Sequence, residues 1–229
     1  MTYTSALIVG AGSGLSASLA RAFTREGMRV ALAARDTGKL QDLARETGAR
    51  AYACDAAQRE AVEALFAALD DAGAPDVVVY NASRRARGPV AELDPAEVEQ
   101  AIAVTAFGGF LVAQAAVRRM LKRGRGAILF TGASASVKGY AQSAPFAMGK
   151  FALRGLAQSM ARELAPRGIH VAHVVIDGGI RSARRTEPLD KPDSLLDPDA
   201  IAETYVHLLR QPRSAWTWEI ELRPWVENF

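Results

Sequence analysis

The sequence predicts an α/β fold: a doubly wound parallel sheet of about seven strands with helices on both faces. Three observations carry that expectation. Short, continuous apolar runs recur along the chain, and a run without polar alternation is the pattern of a strand buried on both faces. Segments with apolar residues at helical spacing lie between these runs, so strand and helix alternate as in right-handed βαβ units. At 229 residues, 49% of them hydrophobic and 23% charged, the chain has the makeup of a folded domain and not of a disordered one. No repeat, low-complexity tract or Pro/Ser-rich linker divides it, so one domain over residues 1–229 is expected.

The elements follow in order. Residues 6–9 form an apolar run that ends in glycine and reads as the first strand. A tight turn, Gly10-Ala11-Gly12-Ser13-Gly14, leads into a helix with Leu15, Leu19, Ala22 and Phe23 at helical spacing, stopped near Gly27. Residues 29–34 are the second strand, with Arg35-Asp36 at its end, and residues 39–47 a helix carrying Leu40, Leu43 and Ala44 on one side. Residues 50–54 are a third strand closed by Asp55; residues 58–71 are a helix with Val62, Leu65, Phe66 and Leu69 inward. Residues 76–80 are a fourth strand ending at Asn81-Ala82-Ser83, followed by a loop over 84–90 with three arginines. A helical stretch starts at Pro95 and reaches Arg123, with a break within it or none. The fifth strand, 127–130, opens into a loop of small residues, Thr131-Gly132-Ala133-Ser134-Ala135-Ser136, before a long helix over 145–165. Residues 169–176 are the sixth strand. Residues 177–197 carry two prolines and no period, and read as a long mobile loop of the kind that covers a site. Pro198 begins a helix to Arg210 with Asp197 as its N-cap, and residues 217–222 are a last strand.

Composition narrows the chemistry. The single cysteine, Cys54, excludes an internal disulfide and a multi-thiolate zinc site, and no group of His, Asp and Glu shows metal-ligand spacing, so no metal is expected. A formal charge of +3 is too small to argue for nucleic acid. The first residues lack the basic start and apolar core of a signal peptide, and no apolar run approaches a membrane span. A cytoplasmic protein without membrane partners is the expectation.

Chemistry concentrates at the carboxyl ends of the strands. A glycine-rich turn between a first strand and a first helix brings backbone amides to a pyrophosphate at the helix N-terminus. Gly10, Gly12, Ser13, Gly14 and Leu15 supply such a turn, and its place at the first strand of an alternating chain points to a dinucleotide. With this turn the sheet is of Rossmann type. The pattern resembles the short-chain dehydrogenase/reductase family over nearly the whole chain. Gly10-Ala11-Gly12-Ser13-Gly14-Leu15-Ser16 is similar to the family's T-G-x-x-x-G-[IL]-G turn, with Val9 for the threonine and Ser16 for the last glycine. Cys54-Asp55 resembles its acidic residue beside the adenine, and Asn81-Ala82-Ser83 its N-A-G. Asp177-Gly178-Gly179-Ile180-Arg181-Ser182 stands where the family has P-G-x-[IV]-x-T, which implies that Gly179, Ile180 and Ser182 meet the nicotinamide carboxamide. At the end of the second strand Arg35 offers a planar cation for a 2′-phosphate, which favours NADP(H) over NAD(H), although Asp36 follows it.

The resemblance also implies a serine, tyrosine and lysine for carbonyl–alcohol chemistry, with an asparagine behind them. A phenol with an ordinary pKa near ~10 needs a neighbouring cation to work near neutrality. Carried onto this chain, the lysine is Lys150, and it also holds the ribose; the tyrosine position is Phe146, the serine position Ala133 with Ser134 adjacent, and the asparagine position Thr105 in Val104-Thr105-Ala106-Phe107-Gly108. Phenylalanine moves no proton, so the chain is expected to be an atypical member. Replacement donors are Tyr140, Ser143 and Lys150 itself, if desolvation lowers its pKa. His170 and His173 lie on the sixth strand and read as packed core or edge residues.

Arg84, Arg85 and Arg87 follow the fourth strand, and Arg181, Arg184 and Arg185 the sixth. Both loops emerge at the carboxyl edge, so a small anionic substrate or an acyl carrier is one reading and ordinary exposed arginines the other. Arg118, Arg119, Lys122, Arg123 and Arg125 crowd a helix end, where they complement its dipole. The long helix presents Ala152, Leu153, Leu156, Ala157, Met160 and Leu164 as a broad apolar face; by resemblance its outer side implies a homodimer or homotetramer. Three functions stay open: hydride transfer with NADP(H) to or from a small carbonyl, alcohol or acyl-type compound using a non-standard proton donor; dinucleotide binding without catalysis, as a sensor or partner subunit; and non-redox chemistry on the same scaffold.

Overall fold

The computed structural model describes residues 3–183 and 185–227. Seven strands, β1 (Ser5–Val9), β2 (Arg29–Ala34), β3 (Arg50–Ala53), β4 (Val77–Tyr80), β5 (Gly126–Thr131), β6 (Ile169–Ile176) and β7 (Glu219–Leu222), form one sheet in the order β3-β2-β1-β4-β5-β6-β7. All neighbouring pairs are parallel. The four central strands β1, β4, β5 and β6 are buried at every position, which is why their sequences are mostly apolar without polar alternation. The chain builds outward from β1 to β3 and then returns to lay β4 against the other side of β1. Between the carboxyl ends of β1 and β4 the order reverses, and there a doubly wound sheet opens a crevice.

The helices are α1 (Leu15–Arg25), α2 (Gln41–Thr47), α3 (Arg59–Asp71), α4 (Pro95–Ile102), α5 (Gly108–Arg123), α6 (Ala144–Leu164) and α7 (Pro198–Arg210). Alternate strand residues feed two cores. Ile8, Leu32, Val79, Leu129 and Val174 pack on one face with Leu19 and Phe23 of α1 and Tyr205 of α7. Leu7, Val78, Ile128 and Val171 pack on the other with Phe66 of α3, Val112 of α5 and Leu153 of α6. Asp197 caps α7 as expected, accepting from the Asp199 amide at 2.9 Å with Pro198 in the first turn.

Several boundaries differ from expectation for identifiable reasons. The second helix begins with a 3₁₀ turn, Gly38–Leu40, because the Asp36 carboxylate accepts from the Gly38 amide at 3.0 Å and tightens the entry. Thr217 does not join the last strand: its amide and hydroxyl are held by the Gln211 side chain at 2.8 Å each. The stretch from Pro95 to Arg123 is broken by a π-turn, Ala103–Phe107, that turns Thr105 fully inward. There α6 comes so close that a Cβ on Gly149 would stand 2.9 Å from the Thr105 Cβ. Residues 177–197 are not without local structure, since Ile180 bridges Leu196 and Ser182 bridges Arg185. The expectation that no stretch is apolar enough for a membrane span needs correcting. Pro95–Arg123 qualifies by length and composition, but half of its apolar window is buried inside the fold.

Candidate active site and dinucleotide cleft

The crevice at the β1/β4 switch point is a cleft of about 580 Å³. Gly10, Ala11, Gly12 and Ser13 form its floor; Arg35, Asp36, Lys39 and Asp55 line one side, and Asn81, Ala82, Ser83 and Arg84 the other. Gly10 holds φ +82°, and a Cβ on it would collide with the Ala82 backbone. Its carbonyl is fixed from two directions: Ser16 Oγ donates to it at 3.1 Å and Asn81 Nδ2 at 3.3 Å, while Asn81 Nδ2 also donates to Ser16 Oγ at 2.8 Å. Ser16, which stands for a glycine in the family pattern, thus ties the turn to the end of β4. Nothing local to Ser16 signals this role.

The cleft fits a dinucleotide phosphate. Gly12 and Gly14 face open space, where a Cβ would meet nothing within 4 Å. Gly14 is the N-cap of α1 and supplies no side-chain cap; the Ala17 amide donates to the Gly14 carbonyl at 2.8 Å, and the Leu15 and Ser16 amides ahead of it have no partner among the described residues. Leu15 contributes only backbone here, because its side chain lies in the core. Asp55 sits at the rim, its Oδ1 accepting from the Ala57 amide at 3.0 Å. Asp36, the residue that competes with Arg35 in the sequence, is engaged locally by Lys39 at 3.3 Å and by the Gly38 amide. Those two contacts hold its carboxyl below the usual range, Lys39 first. Among the described residues no carboxylate pairs with Arg35, which leaves its cation for a ligand.

Gly179, Ile180 and Ser182 line neither this cleft nor the pocket beside it. They lie beyond β6, tied to Leu196 and Arg185. Asp177, in the place of the family's proline, is buried and bonded to Lys138 and Arg223, each at 3.3 Å.

A second pocket of about 350 Å³ is lined by Arg85, Arg87, Ser134, Tyr140, Ser143 and Phe146, among others. The arginine loop therefore serves two sites, with Ser83 and Arg84 on the cleft and Arg85 and Arg87 on the pocket. The Ser134 hydroxyl has no hydrogen-bond partner among the described residues, whereas Ser136 Oγ is used locally and accepts from the Ala133 amide at 3.1 Å. Tyr140 is half exposed, with its ring centroid 5.9 Å from Lys138 Nζ.

Lys150 and Phe146 lie one turn apart on α6. Lys150 is 3% exposed, and its Nζ donates to the Thr131 carbonyl at 2.7 Å. Burial, with the nearby Arg85 charge added, brings its pKa from 10.5 down to about 7. Its ammonium lies 5.8 Å from the Phe146 ring centroid, and the Arg85 guanidinium lies over the same ring at 4.1 Å. Thr105 does not reach this group; its Oγ1 accepts from the Arg84 amide at 3.2 Å and so anchors the arginine loop.

His170 stacks on Trp216 at 4.8 Å and its Nε2 bonds the Thr217 carbonyl at 2.8 Å. His173 is fully buried; its Nδ1 meets Glu219, which also takes both Arg154 nitrogens at 2.6 Å. Burial brings the His173 pKa down to about 4, so the ring is neutral near pH 7. Both histidines are packing residues, as their strand positions imply. Arg184 lies outside the described residues.

A parallel doubly wound sheet with a glycine turn and an open cleft at its switch point is the build of a Rossmann-type dinucleotide-binding protein. Comparison with known proteins narrows the class. A family model for short chain dehydrogenases matches residues 4–191, and the chain belongs to that family; it is an oxidoreductase of the short-chain dehydrogenase type. An uncharacterized oxidoreductase of Staphylococcus aureus (strain N315) is 28% identical over 96% of each chain. A crystal structure of a short-chain dehydrogenase from Rhodopseudomonas palustris is 36% identical, covers 97% of this chain and 99% of its own, and superposes with a TM-score of 0.83. A metagenomic short-chain oxidoreductase crystallised in complex with NADP is 29% identical, with 98% of each chain covered and a TM-score of 0.85.

Proposed function

We propose that the chain is an atypical short-chain dehydrogenase that uses NADP(H), with Phe146 at the usual tyrosine position and Lys150 as proton donor. The observation that carries the cofactor reading is the cleft: an unobstructed glycine turn with Arg35 free at its rim and Asp36 engaged by Lys39. The relative crystallised with NADP supports the same choice. Gly10, Gly12, Ser13, Gly14 and the Leu15 amide would hold the pyrophosphate, Asp55, Asn81 and Ala82 the adenosine side, Arg35 the 2′-phosphate, and Lys150 with Gly179, Ile180 and Ser182 the nicotinamide end. When bound, the nicotinamide supplies or takes up a hydride.

The protein's own task is then the proton. In the reductive direction the substrate carbon gains the hydride and its oxygen gains a proton, which Lys150 gives up as ammonium and regains from solvent. A lysine with a pKa of about 7 is divided between acid and base at neutrality, the condition for moving a proton in either direction. Ser134, and Tyr140 at the rim, are hydroxyl donors to the substrate oxygen.

A non-catalytic, dinucleotide-binding role is the second reading. Phe146, Ala133 and Thr105 favour it, because three positions of the family's proton machinery lack their usual groups. Screening aldehydes, ketones and acyl thioesters for NADPH oxidation decides between them. Binding without turnover, unchanged in Phe146→Tyr, sinks the oxidoreductase reading. We also propose self-association through α5 and α6, supported by Phe107 and Phe110, whose rings stack at 6.1 Å, and by Met148 and Phe151 on α6, all of which leave 39–52% of their surface exposed.

A further inference from the structure

We propose that Arg85 and Arg87 form a subsite for a carboxylate carried by the substrate, so that the substrates are short oxo acids or the matching hydroxy acids. The two arginine-bearing loops are not uniformly charged surface. In each loop one arginine is neutralised: Arg84 pairs with Glu97 at 2.8 Å and Arg181 with Asp197 at 2.6 Å. Arg85 and Arg87 line the pocket. Among the described residues no carboxylate pairs with Arg85, Arg87 or Arg185, and the described lining of the pocket contains no Asp or Glu. The three guanidinia feel one another: Arg87 and Arg185, after desolvation, lower the Arg85 pKa. Like charges drawn from two loops without a counter-ion are unfavourable in the free protein and become favourable when an anion enters.

Geometry identifies the anion. The Arg85 guanidinium lies 4.1 Å over the Phe146 ring, which seats the planar fork on one wall of the pocket. A fork held in this way offers two parallel N–H donors, the match for a carboxylate. About 350 Å³ admits a short acid, and the unpartnered Ser134 hydroxyl lies in the same lining to meet the carbonyl oxygen. The phenylalanine therefore has a use of its own, as a platform for Arg85. A cofactor phosphate is not the intended anion, because Arg35 stands in the other cleft. The inference rests on the oxidoreductase reading only in making the anion's owner the substrate.

The test is calorimetric titration of oxalate, and of uncharged oxamide as its control, at fixed ionic strength with and without NADPH. Oxalate should bind wild type and bind Arg85→Gln and Arg87→Gln at least roughly tenfold more weakly. Arg162→Gln, which removes the same charge from a distant turn of α6, should leave oxalate binding unchanged, and oxamide should bind none of the proteins measurably. Arg85→Lys keeps the charge without the planar fork and should also weaken oxalate. Absence of oxalate binding, oxamide binding of equal strength, or equal affinities in Arg85→Gln and Arg162→Gln would overturn the subsite. NADPH affinity is measured in parallel. A fall in NADPH affinity in Arg85→Gln as large as that for oxalate assigns the site to the cofactor and also overturns the proposal. Oxalate binding without any NADPH binding supports the subsite and sinks the oxidoreductase reading instead.

Discussion

Replacing Lys150 by methionine should change how the protein's stability responds to pH, by an amount the structure sets. The folded lysine has its pKa lowered from 10.5 to about 7 by burial and by Arg85. Between those values the unfolded chain binds a proton that the folded chain does not, so wild-type stability rises with pH across this window. Below pH 7 the ammonium is buried in full and its cost is greatest. Each pKa unit corresponds to about 1.4 kcal/mol, so the stability of wild type relative to Lys150→Met should improve by about 4 kcal/mol between pH 6.5 and pH 10. The lost hydrogen bond to the Thr131 carbonyl costs the variant about 1–3 kcal/mol, and the change in its strength as the ammonium loses its proton is already contained in the folded pKa. Urea unfolding of both proteins at pH 6.5, 8 and 10 measures the difference. A gap between the two that stays constant with pH would refute the lowered pKa, and with it the role of Lys150 as proton donor.

The remaining expectations concern the cleft and the pocket. Gly10→Ala forces an L-residue to φ +82° against the Ala82 backbone; it should cost at least about 2 kcal/mol in urea unfolding and abolish NADPH binding. Arg35→Gln should weaken NADPH by roughly 10- to 100-fold in fluorescence titration while moving NADH by less than about twofold, and a parallel fall for both would remove Arg35 from the 2′-phosphate. Phe146→Tyr places a phenol beside Lys150 and should raise the reduction of neutral ketones roughly 100-fold in steady-state kinetics; no gain would mean that the scaffold lacks more than an acid.

Much of the fold is legible because its central strands are buried on both faces, so Ala6-Leu7-Ile8-Val9 and its counterparts are apolar throughout. The cleft is legible for a related reason: Gly10 follows the first such run, and the switch point comes with the strand order. The pocket was harder to read. Arg85 and Phe146 are distant in sequence, and nothing local to either says that a guanidinium will lie on that ring. Ser16 reads as a harmless departure from glycine until Asn81 arrives from β4 to complete its hydrogen bonds. Thr105 faces inward only because a π-turn rotates it, and a single extra residue in a helical period leaves little trace in the pattern. By contrast, the engagement of Asp36 by Lys39 is local, three residues apart, and is legible in the sequence itself.

The most direct measurement is fluorescence titration of NADPH into wild type and Gly10→Ala, followed by absorbance of the reduced nicotinamide with a panel of ketones, aldehydes and oxo acids. Wild type alone should bind saturably, and at least one carbonyl compound should consume NADPH. Failure of wild type to bind NADPH contradicts the cleft. Tight binding with no turnover, before and after Phe146→Tyr, contradicts the oxidoreductase.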